Sequence, residues 1–224
     1  MVSNFIDFKN SNGIDISNYF GTKIISQLTI EELAYIHLDL MHGCQVLKSG
    51  RLSSGLYDLV ETVTASFNNN RTRQYVPLLG SFAILDQIGG IYSRNDKSTR
   101  YDNGIKKALD LFSNFNDPDD LETLVTLRHG IFHAGSLLHS NRNTGINVCF
   151  RMVVSSGNVL TPPIKIWDGV FHHDLKDYVT RIDLKELQSL TTEVVRECRR
   201  LLLDGKITIK TSNPVEFFHK YLFS

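Results

Sequence analysis

The chain has 224 residues and a formal net charge of zero, because 24 lysines and arginines balance 24 aspartates and glutamates. This balance excludes a protein-wide positive field that would attract nucleic acid, so a polyanion site must be local or must form where two chains meet. Hydrophobic residues make up 42% and charged residues 21% of the chain, a composition typical of a globular protein whose length suits a single domain.

The cysteines and the apolar segments indicate the compartment. Cys44, Cys149 and Cys198 lie far apart, each within an apolar pattern, which argues against a disulfide framework or a metal knuckle and favours a reducing cytosol. Residues Met1 to Asn10 lack the apolar core of a signal peptide. No window approaches 18 consecutive apolar residues, so we expect no membrane span and a cytoplasmic protein.

The first third of the chain predicts an arm followed by helices. Residues 1–28 are short apolar pieces interrupted by Asn-Gly and glycine, which predicts an irregular N-terminal arm. Thr29 to Glu32 matches a capping box, and the apolar stripe that follows predicts a helix to about Lys48, ending at Gly50. A second helix is expected from about Ser54 to Phe67.

The middle of the chain continues the helical pattern. The segment from Pro77 to Ser93 is apolar on nearly all sides, which predicts the central helix of a bundle, and its glycines favour close approach of another backbone. A short helix is expected around Gly104 to Phe115. Asn116 to Asp120 places acidic residues at the positive end of a further helix, which we expect to reach about Leu138.

The periodicity then changes to that of a β insert. Residues 146–154 and 159–166 are β-rich runs joined by Ser155-Ser156-Gly157-Asn158, which predicts a hairpin, and Asp177 to Ile182 could add a third strand. Asp183 caps a predicted long helix over 184–203, and a final amphipathic piece covers 214–222. We therefore predict a mainly α fold: residues 29–224 form one helical bundle with a small antiparallel β hairpin insert at about 146–182 and a long C-terminal helix.

The segment Arg128-His129-Gly130-Ile131-Phe132-His133 carries the most chemical information. It places an arginine and two histidines in a pattern that otherwise predicts a buried helix, which is costly unless these groups have partners or a task. Arginine offers a planar fork of donors suited to phosphate, and histidine changes charge near neutral pH. The segment therefore favours phosphate chemistry.

Two other interpretations of this segment compete with that one. In the first, Arg128 is paired with Asp86, the one acidic residue in the apolar run over 76–92, and breaking such a buried pair would cost about 3–5 kcal/mol. In the second, His129 and His133 share a helix face and hold zinc. The third zinc ligand would then come from a further set of residues, namely Asp39, Asp86, His42 or His172.

The sequence from Leu127 to Ala134 resembles the Arg-x(4–6)-His signature of HEPN domains, which are helical-bundle proteins of bacterial toxin, phage-defence and RNA-processing systems. A polar residue often follows the arginine in that signature, and His129 occupies this position. Many members place an acidic residue on an earlier helix against the motif arginine, a role that Asp86 could fill. The resemblance spans about Thr29 to Leu138.

The resemblance implies a metal-independent endoribonuclease that acts as a homodimer and needs no cofactor. The RNA 2′-hydroxyl would attack the adjacent phosphate, with His133 as general base or acid and Arg128 holding the phosphate. His129 would orient the phosphate or transfer a proton, and Asp86 would hold Arg128. Its partners would be RNA, a second copy and an antitoxin or other partner protein.

A function from another class remains open. The chain could be a non-catalytic helical module that binds a nucleotide or a partner protein, with the arginine and histidines held by a salt bridge to Asp86. Burial of His133 against apolar walls would favour this alternative.

Overall fold

The computed structural model describes residues 2–141, 145–155 and 157–224. The α-helices in this part of the chain are α1 (Gly13–Gly21), α2 (Ile30–His37), α3 (Gly55–Ser66), α4 (Tyr75–Ile91), α5 (Gly104–Phe112), α6 (Pro118–Ala134), α7 (Leu184–Leu203) and α8 (Pro214–Tyr221). The strands are β1 (Cys44–Leu47), β2 (Gly50–Ser54), β3 (Tyr92–Arg94), β4 (Leu138–Asn141), β5 (Ile146–Val153), β6 (Leu160–Thr161), β7 (Val179–Asp183), β8 (Ile207–Ile209) and β9 (Leu222–Phe223). Short 3-10 helices cover Phe5–Asn10, Ile25–Gln27 and Lys176–Tyr178.

The predicted fold class, a mainly α bundle with one hairpin insert, is wrong. The fold is mixed α/β, with 51% helix, 16% strand and three sheets. The sheets have the orders β1-β2-β9, β3-β8 and β4-β5-β7-β6. Most of the missed strands have two to five residues, which is too short for a two-residue periodicity to stand out. Tertiary pairing, which no local pattern reveals, makes them strands.

The predicted hairpin between 146–154 and 159–166 is also wrong. Strand β5 pairs with β4 on one side and runs parallel to β7 on the other, and β7 separates it from the two-residue β6. Ser156, at the expected turn, lies outside the described residues. A parallel pair requires a connection that leaves the sheet and returns, and the residues between β6 and β7 provide it.

The first predicted helix is correct at its start and wrong at its end. The Thr29 hydroxyl accepts from the backbone N–H of Glu32, and Glu32 caps Thr29 in return. However, α2 ends at His37 because the Asp39 carboxylate accepts hydrogen bonds from the Met41 backbone and the His42 ring. Such local bonds compete with helical ones, and the chain then forms the hairpin β1–β2.

The segment expected to be an irregular arm contributes helix α1 and part of the core. Phe8 and Phe20 are buried, and Phe8 makes edge contacts with Tyr19 and with Tyr35 of α2. Lys23 and Tyr19 both bind the fully buried carboxylate of Glu32, which ties the segment to α2.

Helix α4 lies at the centre of the helical layer and packs against α3, α5 and α7. Its crossing with α5 is very close, since a Cβ at Gly89 would lie 1.9 Å from the carbonyl oxygen of Gly104. Helix α6 follows α5, and Asp117 caps its first turn through the N–H groups of Asp119 and Asp120. The long helix α7 has the predicted bounds and the predicted cap, Asp183. Among the described residues, no helix combines the length and apolar character needed to cross a bilayer.

Adjacent glycines in α4 provide a test of this crossing. Gly89→Ala should lower the free energy of unfolding by about 3 kcal/mol, because its methyl group collides with backbone that cannot rotate away. Gly90→Ala is the matched control: a Cβ there meets nothing within 4 Å, so the better helix former should raise stability by up to about 1 kcal/mol. Urea unfolding followed by circular dichroism measures both, and equal effects would contradict the described crossing.

Candidate functional site

The end of helix α6 reverses the chain and returns it to the helix. Gly135 adopts a left-handed conformation (φ 59°, ψ 25°), and its backbone N–H bonds to the carbonyl of Ile131. The N–H of Ser136 bonds to the carbonyl of Gly130 at 3.0 Å. This C-cap geometry favours glycine because other residues clash in it. Strand β4 therefore runs back beside the last turns of α6.

Gly130 makes room for the returning strand. A Cβ at this position would lie 2.8 Å from the carbonyl oxygen of Ser136 and 3.1 Å from the Cβ of His139. His139 is therefore placed directly beside the turn that carries His129. Strand β5 fixes His139 from the other side, since His139 pairs with the buried Val148.

Three histidine rings form a row at this end of α6, which we call the histidine row: His133, His129 and His139. The rings of His129 and His133 are 5.3 Å apart between centroids and inclined by 24°, while those of His129 and His139 are 6.4 Å apart and inclined by 15°. His133 is exposed, and the other two are partly buried. One end of the row, His133, is therefore exposed, and the other end, His139, is partly buried.

The central ring has an altered proton affinity. Burial lowers the pKa of His129 below its ordinary value, and the nearby positive groups of Arg128, His133 and His139 lower it further. Glu122, one of the charges on the same helix, acts in the opposite direction. At neutral pH His129 therefore favours the neutral imidazole, which has one ring nitrogen free to accept a proton.

Arg128 contacts Asp86 of α4, as the sequence predicts. Its Nη2 lies 3.4 Å from a carboxylate oxygen of Asp86, and the side chains are 27% and 34% exposed. The pair is therefore partly exposed, and the expectation of a buried pair is wrong. Asp86 also packs closely against α5, because a Cβ at Gly104 would lie 2.9 Å from the other carboxylate oxygen of Asp86.

Most of the donors of Arg128 are not used by this contact. Its Nε is buried and has no hydrogen-bond partner within the described residues, and the guanidinium carbon lies 5.2 Å from the ring centre of Phe132. Phe132 itself is 47% exposed. A planar cation beside an aromatic ring, held by one long ion pair, can use the donors of its Nη groups to bind a phosphate.

The zinc interpretation receives no third ligand. Within the part of the chain that the structure describes, no three or more His, Cys, Asp or Glu side chains come together to hold a metal ion. Of the proposed third ligands, Asp39 binds His42, His172 binds Asp168, and Asp86 contacts Arg128. The rings of His129 and His133 are stacked, with centroids 5.3 Å apart.

The structure thus brings together Arg128, His129, His133 and Asp86, the four residues predicted from the sequence. Sequence reasoning missed His139 and Phe132. The signal for His139 was present: Gly135 is a helix C-cap, and a reversal there returns the chain four residues later to the small Gly130. Phe132 lies in the segment expected to be a buried helix, and the sequence predicted no separate role for it.

Comparisons of this chain with protein-family models, curated proteins and solved structures found no match.

The exposure of the ion pair determines its contribution to stability. Asp86→Asn should lower the free energy of unfolding by less than about 1 kcal/mol, because water screens a partly exposed pair. Asp102→Asn, at an exposed aspartate beyond the site, is the control and should change it even less. Urea unfolding measures both variants. A loss of about 3 kcal/mol or more for Asp86→Asn would show that the pair is buried in solution.

Proposed function

We propose that this protein is a metal-independent endoribonuclease of HEPN type. In this reaction the RNA 2′-hydroxyl attacks the adjacent phosphorus, the bond to the 5′-oxygen breaks, and the products carry a 2′,3′-cyclic phosphate and a 5′-hydroxyl. His133 acts as general base or acid, and Arg128 binds the phosphate and stabilises its growing negative charge. His129 orients the phosphate or transfers a proton, and Asp86 holds Arg128.

One observation carries this proposal: a guanidinium and the histidine row share one accessible end of α6. Arg128 supplies permanent positive charge, and His133, exposed at this end, can reach a bound substrate. His129 and His133 supply two imidazoles, and the reaction needs one acid and one base. All these groups are side chains of the protein, so no ion is required.

The proposal includes a homodimer whose interface lies near the site. The loop after β6 exposes apolar side chains, among them Ile166 (86% exposed) and Phe171 (73% exposed). The loop has a fixed form, since the Trp167 ring N–H donates to the Val170 carbonyl at 2.8 Å. It also lies against β5, because the space above Gly169 is filled by Asn147. Exposed apolar patches of this kind mark interaction surfaces.

A second copy bound there would bring two histidine rows and two arginines together. Such an interface would create a local positive site that the zero net charge of the chain conceals. The same proposal includes a toxin or phage-defence role, an antitoxin or other partner protein, and a cytoplasmic location. The free state of all three cysteines accords with a reducing compartment.

The alternative is a non-catalytic module that binds a nucleotide or a partner protein. The contact between Arg128 and Asp86 accords with it, since a salt bridge could fix the arginine. The exposure of His133 does not, because that alternative expects this ring to be sealed against apolar walls. We therefore favour the ribonuclease.

The purified protein should cleave single-stranded or loop RNA in the presence of EDTA. His133→Ala should abolish cleavage, because a positioned imidazole contributes about 10²–10⁴-fold, and it should leave the fold nearly unchanged because the ring is exposed. Arg128→Ala should abolish cleavage as well. Raised salt should weaken RNA binding, since phosphate contacts are screened. Gel analysis of end-labelled RNA measures the cleavage and the cyclic phosphate end.

His219→Ala is the matched control, because His219 is an exposed histidine on α8, and this variant should retain full activity. Loss of cleavage in EDTA would favour the zinc interpretation. Intact RNA of several classes in every buffer, or a fully active His133→Ala variant, would favour the binding module.

Sedimentation equilibrium should give twice the chain mass of 25.4 kDa. The double variant Ile166→Asp/Phe171→Asp should sediment as a monomer, because the interface would have to bury two uncompensated charges. The same substitution at Ile14, which is 75% exposed on α1, should leave the dimer intact. A wild-type monomer at concentrations that support cleavage would contradict the dimer.

A further inference from the structure

Backbone hydrogen bonds hold the strand that carries His139 beside helix α6. Strand β4 is paired with β5 from residue 138 to residue 141, and the Phe150 N–H bonds to the Leu137 carbonyl at 2.8 Å. The Ser136 hydroxyl donates to the carbonyl of Leu138 and accepts from the N–H of Leu138. These bonds hold the returning strand against α6, so the ring of His139 has a defined position beside His129.

The alignment of the histidine row indicates a division of roles. The His129 ring lies between two nearly parallel imidazoles, whereas His133 has one imidazole neighbour and an exposed side. His133 also lies in the last turn of α6, at the negative end of the helix dipole. The covered central ring and the exposed outer ring therefore have different surroundings, as a base and an acid acting in one reaction require.

We propose that His129 is the general base of the site, that His133 is its general acid, and that His139 is a positioning residue whose ring lies beside that of His129 and orients it. This inference rests on the proposed ribonuclease function and goes beyond it by assigning the two proton transfers. His139 contacts no substrate in this scheme and acts through His129.

The proton balance of the reaction follows from these roles. His129 accepts the proton of the 2′-hydroxyl as its oxygen forms the bond to phosphorus. His133, protonated at the start, gives its proton to the 5′-oxygen as the phosphorus–oxygen bond breaks. His129 then releases its proton to water and His133 takes one up from water, so the site returns to its starting state without any further reactant.

Four titratable groups act on His129 directly, and two further groups pair with them. Arg128, His133 and Glu122 lie on α6, and His139 lies on β4. From α5, Lys106 forms an ion pair with Glu122, and from α4, Asp86 acts through Arg128. Burial lowers the pKa of His129 first, and Arg128, His133 and His139 lower it further, so replacement of His139 should let His129 take up a proton at higher pH.

The first experiment follows the histidine ring protons by NMR through a pH titration, on wild type and on His139→Gln without RNA. The midpoint of His129 should move to higher pH in the variant, while that of His219, on the distant α8, should stay unchanged. His139→Thr, which suits a strand, is a second variant in case the first does not fold. An unchanged His129 midpoint in a folded variant overturns the positioning role.

The second experiment measures kcat/KM for RNA cleavage against pH. The base determines the acidic limb of a bell-shaped profile and the acid determines the alkaline limb. His129→Gln should remove the acidic limb and His133→Gln the alkaline limb, each with a loss of about 10²–10⁴-fold. His139→Gln should keep both limbs and move the acidic one to higher pH, so its loss should be larger at pH 6 than at pH 8.

The outcomes separate this inference from the proposed function. If wild type does not cleave RNA, the ribonuclease proposal fails and the two proton-transfer roles fail with it, while the NMR titration still decides whether His139 acts on His129. If wild type cleaves and His133→Gln removes the acidic limb, the ribonuclease stands and the assignment of base and acid is reversed. If His139→Gln leaves the acidic limb in place, its positioning role is wrong.

Discussion

The close crossing of α4 and α5 is the constraint on which the position of the site depends. Two glycines, Gly89 and Gly104, let the helix backbones touch, and no larger residue fits at either contact. Because α4 is packed on its other sides by α3 and α7, its orientation is fixed by the core. The crossing therefore determines the position of Asp86, which contacts Arg128 of α6.

The site concentrates cationic side chains in a protein whose net charge is zero. A cluster of one arginine and three histidines in a neutral protein must avoid repelling itself apart. Burial keeps the central ring neutral, the carboxylates of Asp86 and Glu122 offset part of the remaining charge, and the outer ring faces solvent. These three features limit the repulsion within the cluster.

The sequence predicted the parts of this protein that local chemistry determines. The capping boxes and caps at Thr29, Asp117 and Asp183 begin their helices where expected, because a side chain and a backbone N–H a few residues apart suffice to form them. The contact between Arg128 and Asp86 was predictable for a similar reason. An arginine on an apolar helix needs a partner, and the neighbouring apolar run offered one acid.

The remaining features depend on distant residues. The two-residue strands β6 and β9 exist only because β7 and β2 lie beside them, and the parallel pairing of β5 with β7 has no signature in either segment. His139 joined the site because a glycine cap, a small residue and a strand pairing act together. The two glycines are visible in the sequence, but the strand pairing is a result of three-dimensional packing.

The placement of His139 on β4 has a consequence for the local stability of the site. In the four-stranded sheet β4 is an edge strand, paired on one side with β5. Edge strands open more readily than the core because fewer bonds hold them, and such local opening has its own free energy, smaller than that of global unfolding. The histidine row can therefore open on warming while the helical core stays intact.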